Sequence, residues 1–236
     1  MGDEMKGDET TSRTAQRRYD RQARFYDYME APWELLIYRG LRRDLWAGVQ
    51  GTTILEVGVG TGRNLPRHPS GARLIAVDLS PGMLRHAVRK AGRLGRDVDL
   101  VLADAQHLPF RNGAFDAAAA TFVFCSVPDP VAGLREVSRA IRNGGRVHLL
   151  EHVRARNPIV GKLMDWLNPL WVRLTGANIN RDTVSNVARA GVEVESVESR
   201  SLGLMKLIRG SARRAGAAAP GPVEAASEAL DDVAHG

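Results

Sequence analysis

Ile54-Leu55-Glu56-Val57-Gly58-Val59-Gly60-Thr61-Gly62 is the stretch from which the rest of the chain can be read. An apolar run that fits a buried strand stops at an acid and a glycine-rich turn. Sixteen residues after Gly62 comes Asp78, closing a second apolar run, Leu74-Ile75-Ala76-Val77. Strand, glycine turn, helix, strand and acid is the order of a nucleoside site in a Rossmann-like sheet. The glycines let the backbone approach a ligand. A carboxylate at Asp78 can accept hydrogen bonds from both ribose hydroxyls.

The glycine spacing is Gly-x-Gly-x-Gly, not the Gly-x-Gly-x-x-Gly of dinucleotide sites. Glu56 before the first glycine would repel a pyrophosphate and suits a cationic ligand end. Together these features point to S-adenosylmethionine rather than a nicotinamide dinucleotide. Asp104-Ala105 follows the third apolar run, where a carboxylate can meet an adenine amino group. With Thr121 at the end of the fourth run, four separate segments converge on the carboxyl rim of one sheet.

At 236 residues the chain fits one α/β domain with appendages. Strands are expected at 53–57, 73–78, 98–103, 115–122, 146–153, 192–199 and 205–208. Helices are expected at 62–65, 81–94, 130–140, 161–175 and 183–190. This alternation predicts a doubly wound, mostly parallel sheet. Residues 1–12 read as an unstructured segment and 13–50 as a helical lid that Pro32 breaks. Residues 51–213 read as the ligand-binding domain and 214–236 as a loose tail.

The single Cys125 cannot make an internal disulfide, which fits a reducing cytoplasm. No run of roughly 18 uncharged apolar residues is present, and residues 1–18 lack the apolar centre of a signal peptide. A net charge of +6 and an isoelectric point of about 10 favour anionic partners, either nucleic acid or acidic lipid headgroups.

The three segments 55–62, Asp78-Leu79-Ser80-Pro81-Gly82-Met83-Leu84 and Ala103-Asp104-Ala105-Gln106-His107-Leu108-Pro109-Phe110 resemble the class I S-adenosylmethionine-dependent methyltransferases, in the branch of the quinone C-methyltransferases. Phe124-Cys125-Ser126-Val127, Glu151-His152-Val153, Asn168-Pro169-Leu170-Trp171 and 176–181 are similar to soluble bacterial phosphatidylethanolamine N-methyltransferases, and also to thiol methyltransferases. The resemblance implies a Rossmann-like fold of seven strands under an N-terminal lid that carries Tyr19 and Tyr26. It implies cofactor contacts from Gly58, Gly60, Asp78, Leu79, Met83, Asp104, Ala105 and Thr121, to which the chain's own pattern adds Glu56.

An amine acceptor must lose its proton before it can attack a methyl group. His152, beside Glu151, is the expected base, and Tyr19 and Tyr26 are expected to surround a methylammonium. The resemblance makes phosphatidylethanolamine the first expected acceptor, with a quinone precursor or small thiol as alternatives. A peripheral, cytoplasmic enzyme on an anionic membrane is expected. Arg13, Arg17, Arg18, Arg21 and Arg24, and the Trp- and Leu-rich stretch 158–174, are the expected contacts. A nucleic-acid-binding role would need basic residues interleaved with aromatics on an open face, and the sequence offers none. It does not indicate an oligomeric state, and no metal site is expected.

Overall fold

The computed structural model describes residues 2–155 and 157–213, with side chains from residue 11 onward except at Leu174. Seven strands form one sheet in the order β3-β2-β1-β4-β5-β7-β6. They are β1 (Thr53–Val57), β2 (Arg73–Asp78), β3 (Asp99–Leu102), β4 (Phe115–Thr121), β5 (Ile141–His152), β6 (Val192–Arg200) and β7 (Met205–Ala212). Strands β1 to β5 pair in parallel, and β7 runs antiparallel to β5 and β6. Strand order reverses between β1 and β4, which opens a crevice at their carboxyl ends.

The sheet is buried on both faces, so its central strands read as unbroken apolar runs. Side chains alternate between the two cores. Leu55, Val57, Ala118 and Ala120 join one, while Ile54, Ala117 and Ala119 join the other with Leu45 and Trp46. The first is covered by α4 (Pro130–Ala140) and α6 (Thr183–Arg189), the second by α2 (Arg39–Ala47). α3 (Pro81–Leu94) links β2 to β3, with Pro81 in its first turn and the Ser80 hydroxyl accepting from Met83 N.

The N-terminal region differs from expectation. α1 runs from Gly2 to Trp33, through the stretch read as unstructured and past Pro32. Proline cannot donate to the preceding turn, and the helix widens into one π turn, Glu34–Tyr38, before continuing as α2. The helix expected at 62–65 is a glycine turn followed by a single 3₁₀ turn, Leu65–Arg67. α5 spans Pro158–Thr175, capped by the Asn157 side chain. The expected tail lies outside the described residues.

Candidate functional site

A cleft with about 900 Å³ of empty space, its open mouth included, lies over the carboxyl ends of β1, β2 and β4. Tyr19, Tyr26, Gly58, Gly60, Asp78, Leu79, Met83, Asp104, Ala105 and Thr121 all line it. Glu56 and His152 do not.

The strand pleat explains the absence of Glu56. It shares the face of Ile54, toward α2, whereas Leu55 and Val57 point to the other core. There Glu56 is 1% exposed. Its Oε1 accepts from Asn64 Nδ2 at 2.6 Å and its Oε2 bonds His68 Nε2 at 2.7 Å. The acid thus braces the turn after β1 from below, where its carboxylate does not reach the cleft.

The turn itself fits a close ligand. Gly58 has φ +69°, and a Cβ there would meet Val123 Cγ2 at 2.3 Å. Gly60 has φ +55°, and a Cβ there would meet no protein atom within 4 Å, so the bare backbone faces open space beside the cleft. The Gly60 amide donates to Asp78 Oδ2 at 2.8 Å and the Ser80 amide to Oδ1 at 2.9 Å. These bonds fix the carboxylate and leave lone pairs for further donors. Burial pushes Asp78 up to about 6; the two amide bonds oppose the rise, and nearby Glu56 and Asp20 add to it. After β3, Asp104 Oδ1 accepts from Gln106 N at 2.9 Å, and the Gln106 side chain reaches Ser12 on α1.

α1 crosses the mouth and is tied down mainly by charged and polar groups. Asp20 Oδ1 accepts from Ser80 Oγ at 2.6 Å and Gly82 N at 2.7 Å, at the start of α3. Asp27 accepts from Thr61 Oγ1 at 2.6 Å and Arg63 Nε at 3.0 Å, with Lys90 at 3.5 Å. Burial alone would raise Asp27, but the Thr61 hydroxyl, Lys90 and Arg63 hold it below the usual carboxylate range. Glu34, in the π turn, receives Arg42 at 3.1 Å, Arg63 at 3.6 Å and Arg67 at 3.7 Å. The three acids recur every seven residues, which keeps them on one helical face. That spacing was readable in the sequence, yet such charges normally face water. Tyr19 Oη bonds Ser126 Oγ at 2.6 Å. Burial raises the phenols of Tyr19 and Tyr26, so both stay neutral hydroxyls.

The far wall is aromatic. Phe122, at φ +60°, packs on Tyr38 and His152 with ring centroids 4.7 and 4.6 Å away. Arg42 sits 5.2 Å over its ring and also donates to Asn64 Oδ1 and Thr121 Oγ1. His152 thus lies behind Phe122, 3.4 Å from Tyr38 Oη. Burial, with Arg42 nearby, lowers it to about 4, so it stays neutral and is a weak proton acceptor. Glu151 is buried and takes amides from Val123, Phe124 and Cys125 at 2.8, 3.0 and 3.2 Å. Burial lifts it to about 7 against those three bonds. Its work is to shape the loop after β4. No group of acidic, histidine or cysteine side chains among the described residues is arranged to hold a metal.

Residues 55–149 match the family described as "Methyltransferase domain". A demethylmenaquinone methyltransferase of Clavibacter sepedonicus is 33% identical over 197 residues, covering 75% of this chain and 80% of that protein. A phosphatidylethanolamine N-methyltransferase of Cereibacter sphaeroides is 34% identical over 113 residues, 47% of this chain and 56% of that protein. The solved S-adenosylmethionine-dependent methyltransferase of Aquifex aeolicus shares the fold, with a TM-score of 0.61 at 17% identity, 82% of this chain and 98% of that one being covered. The sheet order, the glycine turn and Asp78 thus define a class I S-adenosylmethionine-dependent methyltransferase. Within that class the chain belongs to the quinone-methyltransferase-like family.

Proposed function

We propose that this enzyme methylates a lipophilic acceptor that is uncharged where it reacts, with a demethylated isoprenoid quinol first in order and the amine of phosphatidylethanolamine second. The carrying observation is the charge state of the cleft. Its two arginines are already engaged, Arg63 by Asp27 and Glu34, and Arg42 by Glu34, Asn64 and Thr121. Neither is free to hold a lipid phosphate. The remaining wall, with Tyr26, Phe122, Val123, Val127 and Pro128, suits an apolar ring or chain. The longer match to a demethylmenaquinone methyltransferase supports the same order. The phospholipid reading, first on sequence alone, keeps support from the aromatic groups Tyr19, Tyr26 and Phe122, which could surround a growing methylammonium.

Bound S-adenosylmethionine supplies a methyl group already activated on a sulfonium. In this reading Gly58, Gly60, Asp78, Leu79, Met83, Asp104, Ala105 and Thr121 hold it. The protein's own share is alignment and exclusion of water. α1 closes the mouth, and the neutral Tyr26 hydroxyl orients the acceptor by hydrogen bonding, not by removing a proton. His152 and Glu151 act through Phe122 and the 123–125 loop, as positioning residues.

The test is incubation with labelled cofactor and vesicles carrying reduced demethylated quinol, phosphatidylethanolamine or a small lipophilic thiol, with products read by mass. Methylated quinol with unmodified lipid supports the first order. Methylated phosphatidylethanolamine alone reverses it. Turnover only of small polar acceptors sinks the lipophilic reading.

A further inference from the structure

The outer surface of the lid breaks the usual arrangement of an amphipathic helix. The inner face of α1 holds the acids Asp20 and Asp27, bonded to the core. Its outer face changes character along its length. Arg17, Arg21 and Arg24 are exposed in the first part. Phe25, Tyr28, Met29 and Trp33 then follow at helical spacing, and Leu36 in the π turn extends them; Tyr28 is 85% exposed and Leu36 76%. A second helix repeats the pattern. Ile159, Leu163, Trp166 and Leu170 of α5 lie at steps of four, three and four, with Ile159 79% and Trp166 77% exposed. The one acid of α5, Asp165, is bonded to Arg154, while Lys162 and Arg173 remain exposed.

The two helices meet beside the cleft. Arg18 Nη1 of α1 donates to Val172 O of α5 at 3.0 Å, next to Tyr19. Among the described side chains, α1 thus turns Asp20 and Asp27 toward the core, while both helices carry bases and large apolar groups on their outer faces at one mouth. So much exposed apolar surface on a monomer marks an interaction site. Basic side chains bordering Trp and Leu fit an anionic bilayer, where the apolar groups enter the headgroup region and the bases meet lipid phosphate. A nucleic acid would use the arginines and leave the apolar groups in water.

We propose that the outer faces of α1 and α5 form one membrane-seating surface, which sets the cleft mouth against an anionic bilayer. No helix of the described residues is long and apolar enough to cross a membrane, so this contact lies in the interface. It stands apart from acceptor identity, because vesicles of phosphatidylcholine and phosphatidylglycerol contain neither a primary amine nor a quinol.

Sedimentation with such vesicles tests it. The protein should bind when phosphatidylglycerol is present, and binding should weaken as salt rises. Trp33→Ser with Leu36→Ser, and separately Trp166→Ser with Leu170→Ser, should each lower binding at least tenfold with cofactor affinity unchanged. Arg17→Glu with Arg21→Glu should abolish the preference for phosphatidylglycerol. In the unsubstituted protein, acyl chains brominated near the headgroup should quench tryptophan fluorescence, a reading that needs no variant to fold. Absent quenching, equal binding by the apolar double variants, or binding to duplex DNA without binding to vesicles would overturn the proposal.

Discussion

The two walls of the cleft are held by opposite means. The sheet side rests on apolar burial and backbone geometry: Leu55, Val57, Ala118 and Ala120 interlock beneath a turn in which a Cβ at Gly58 would strike Val123 and one at Gly62 would strike Leu65. The lid side rests on Asp20, Asp27 and Glu34, three carboxylates that reach across to α3, the glycine turn and α2. Apolar burial forms and is lost with the whole fold. Ion pairs near the surface are individually weak and screened by salt. The floor should therefore fail only when the protein unfolds, whereas the lid can open while the sheet stays intact.

Gly58→Ala attacks the floor most directly. It forces a Cβ against Val123 and puts alanine at positive φ. Strain and overpacking together should cost roughly 2–5 kcal/mol, seen as a lower midpoint of denaturant unfolding. Adding Val123→Ala should recover the packing part; a double variant no better than the single would mean that the clash is not the cause.

Glu151→Ala comes next. It strands the buried amides of Phe124 and Cys125 and the partly buried amide of Val123. The expected loss is about 2–4 kcal/mol, since each orphaned buried donor costs on the order of 1–3 kcal/mol. Thermal unfolding at a fixed pH of 7 reads it directly.

The lid should answer differently. Asp20→Asn, which keeps an oxygen acceptor at the start of α3, and Asp27→Asn, at a half-exposed ion pair, should each change the unfolding midpoint little, by about 1 kcal/mol or less. They should speed release of the demethylated cofactor severalfold in stopped-flow displacement. High salt should quicken release from the original protein more than from the double variant. If both variants unfold early with unchanged release, the contrast between the walls is wrong.

The smallest effect at neutral pH concerns the floor's charge dependence. His148 is buried, and neither ring nitrogen has a hydrogen-bond partner among the described residues. Burial, with Arg209 and Arg146 nearby, lowers it to about 4 from an ordinary value of 6.5. The unfolded chain therefore binds more protons between those values, and stability drains as pH falls from about 6.5 to about 4. His148→Leu loses no hydrogen bond. Its melting point should match the original near pH 7 and exceed it increasingly through that window. Parallel curves down to pH 4 would contradict the assignment.

Much of the floor was legible because the strands are apolar runs stopped by glycines and acids, and their carboxyl ends must share one rim. The errors have a common origin. Glu56 and His152 sit at strand ends, where one step along the pleat decides between cleft and core. The segment alone does not say that α2 would cover Glu56, or that Phe122 would stand before His152. In the lid, Tyr19, Phe25, Tyr26, Tyr28 and Trp33 all lie within one helix, and their spacing alone does not assign them to a face. The structure divides them, with Tyr19 and Tyr26 turned to the cleft and Phe25, Tyr28 and Trp33 to the outside. Pro32 reads as a break, yet it lies inside α1, and the chain continues helically through a π turn into α2.

The reversed direction of β7 has a practical side. Its first residue, Met205, pairs with His152 near the cleft, and Ser211 pairs with Arg146, six residues back along β5. The backbone at Arg213 therefore leaves the sheet on the side remote from the mouth. An enzyme immobilised on a bead through that point would present both lid and acceptor opening to the bulk solution, whereas one held through α1 would have its working face pressed against the support.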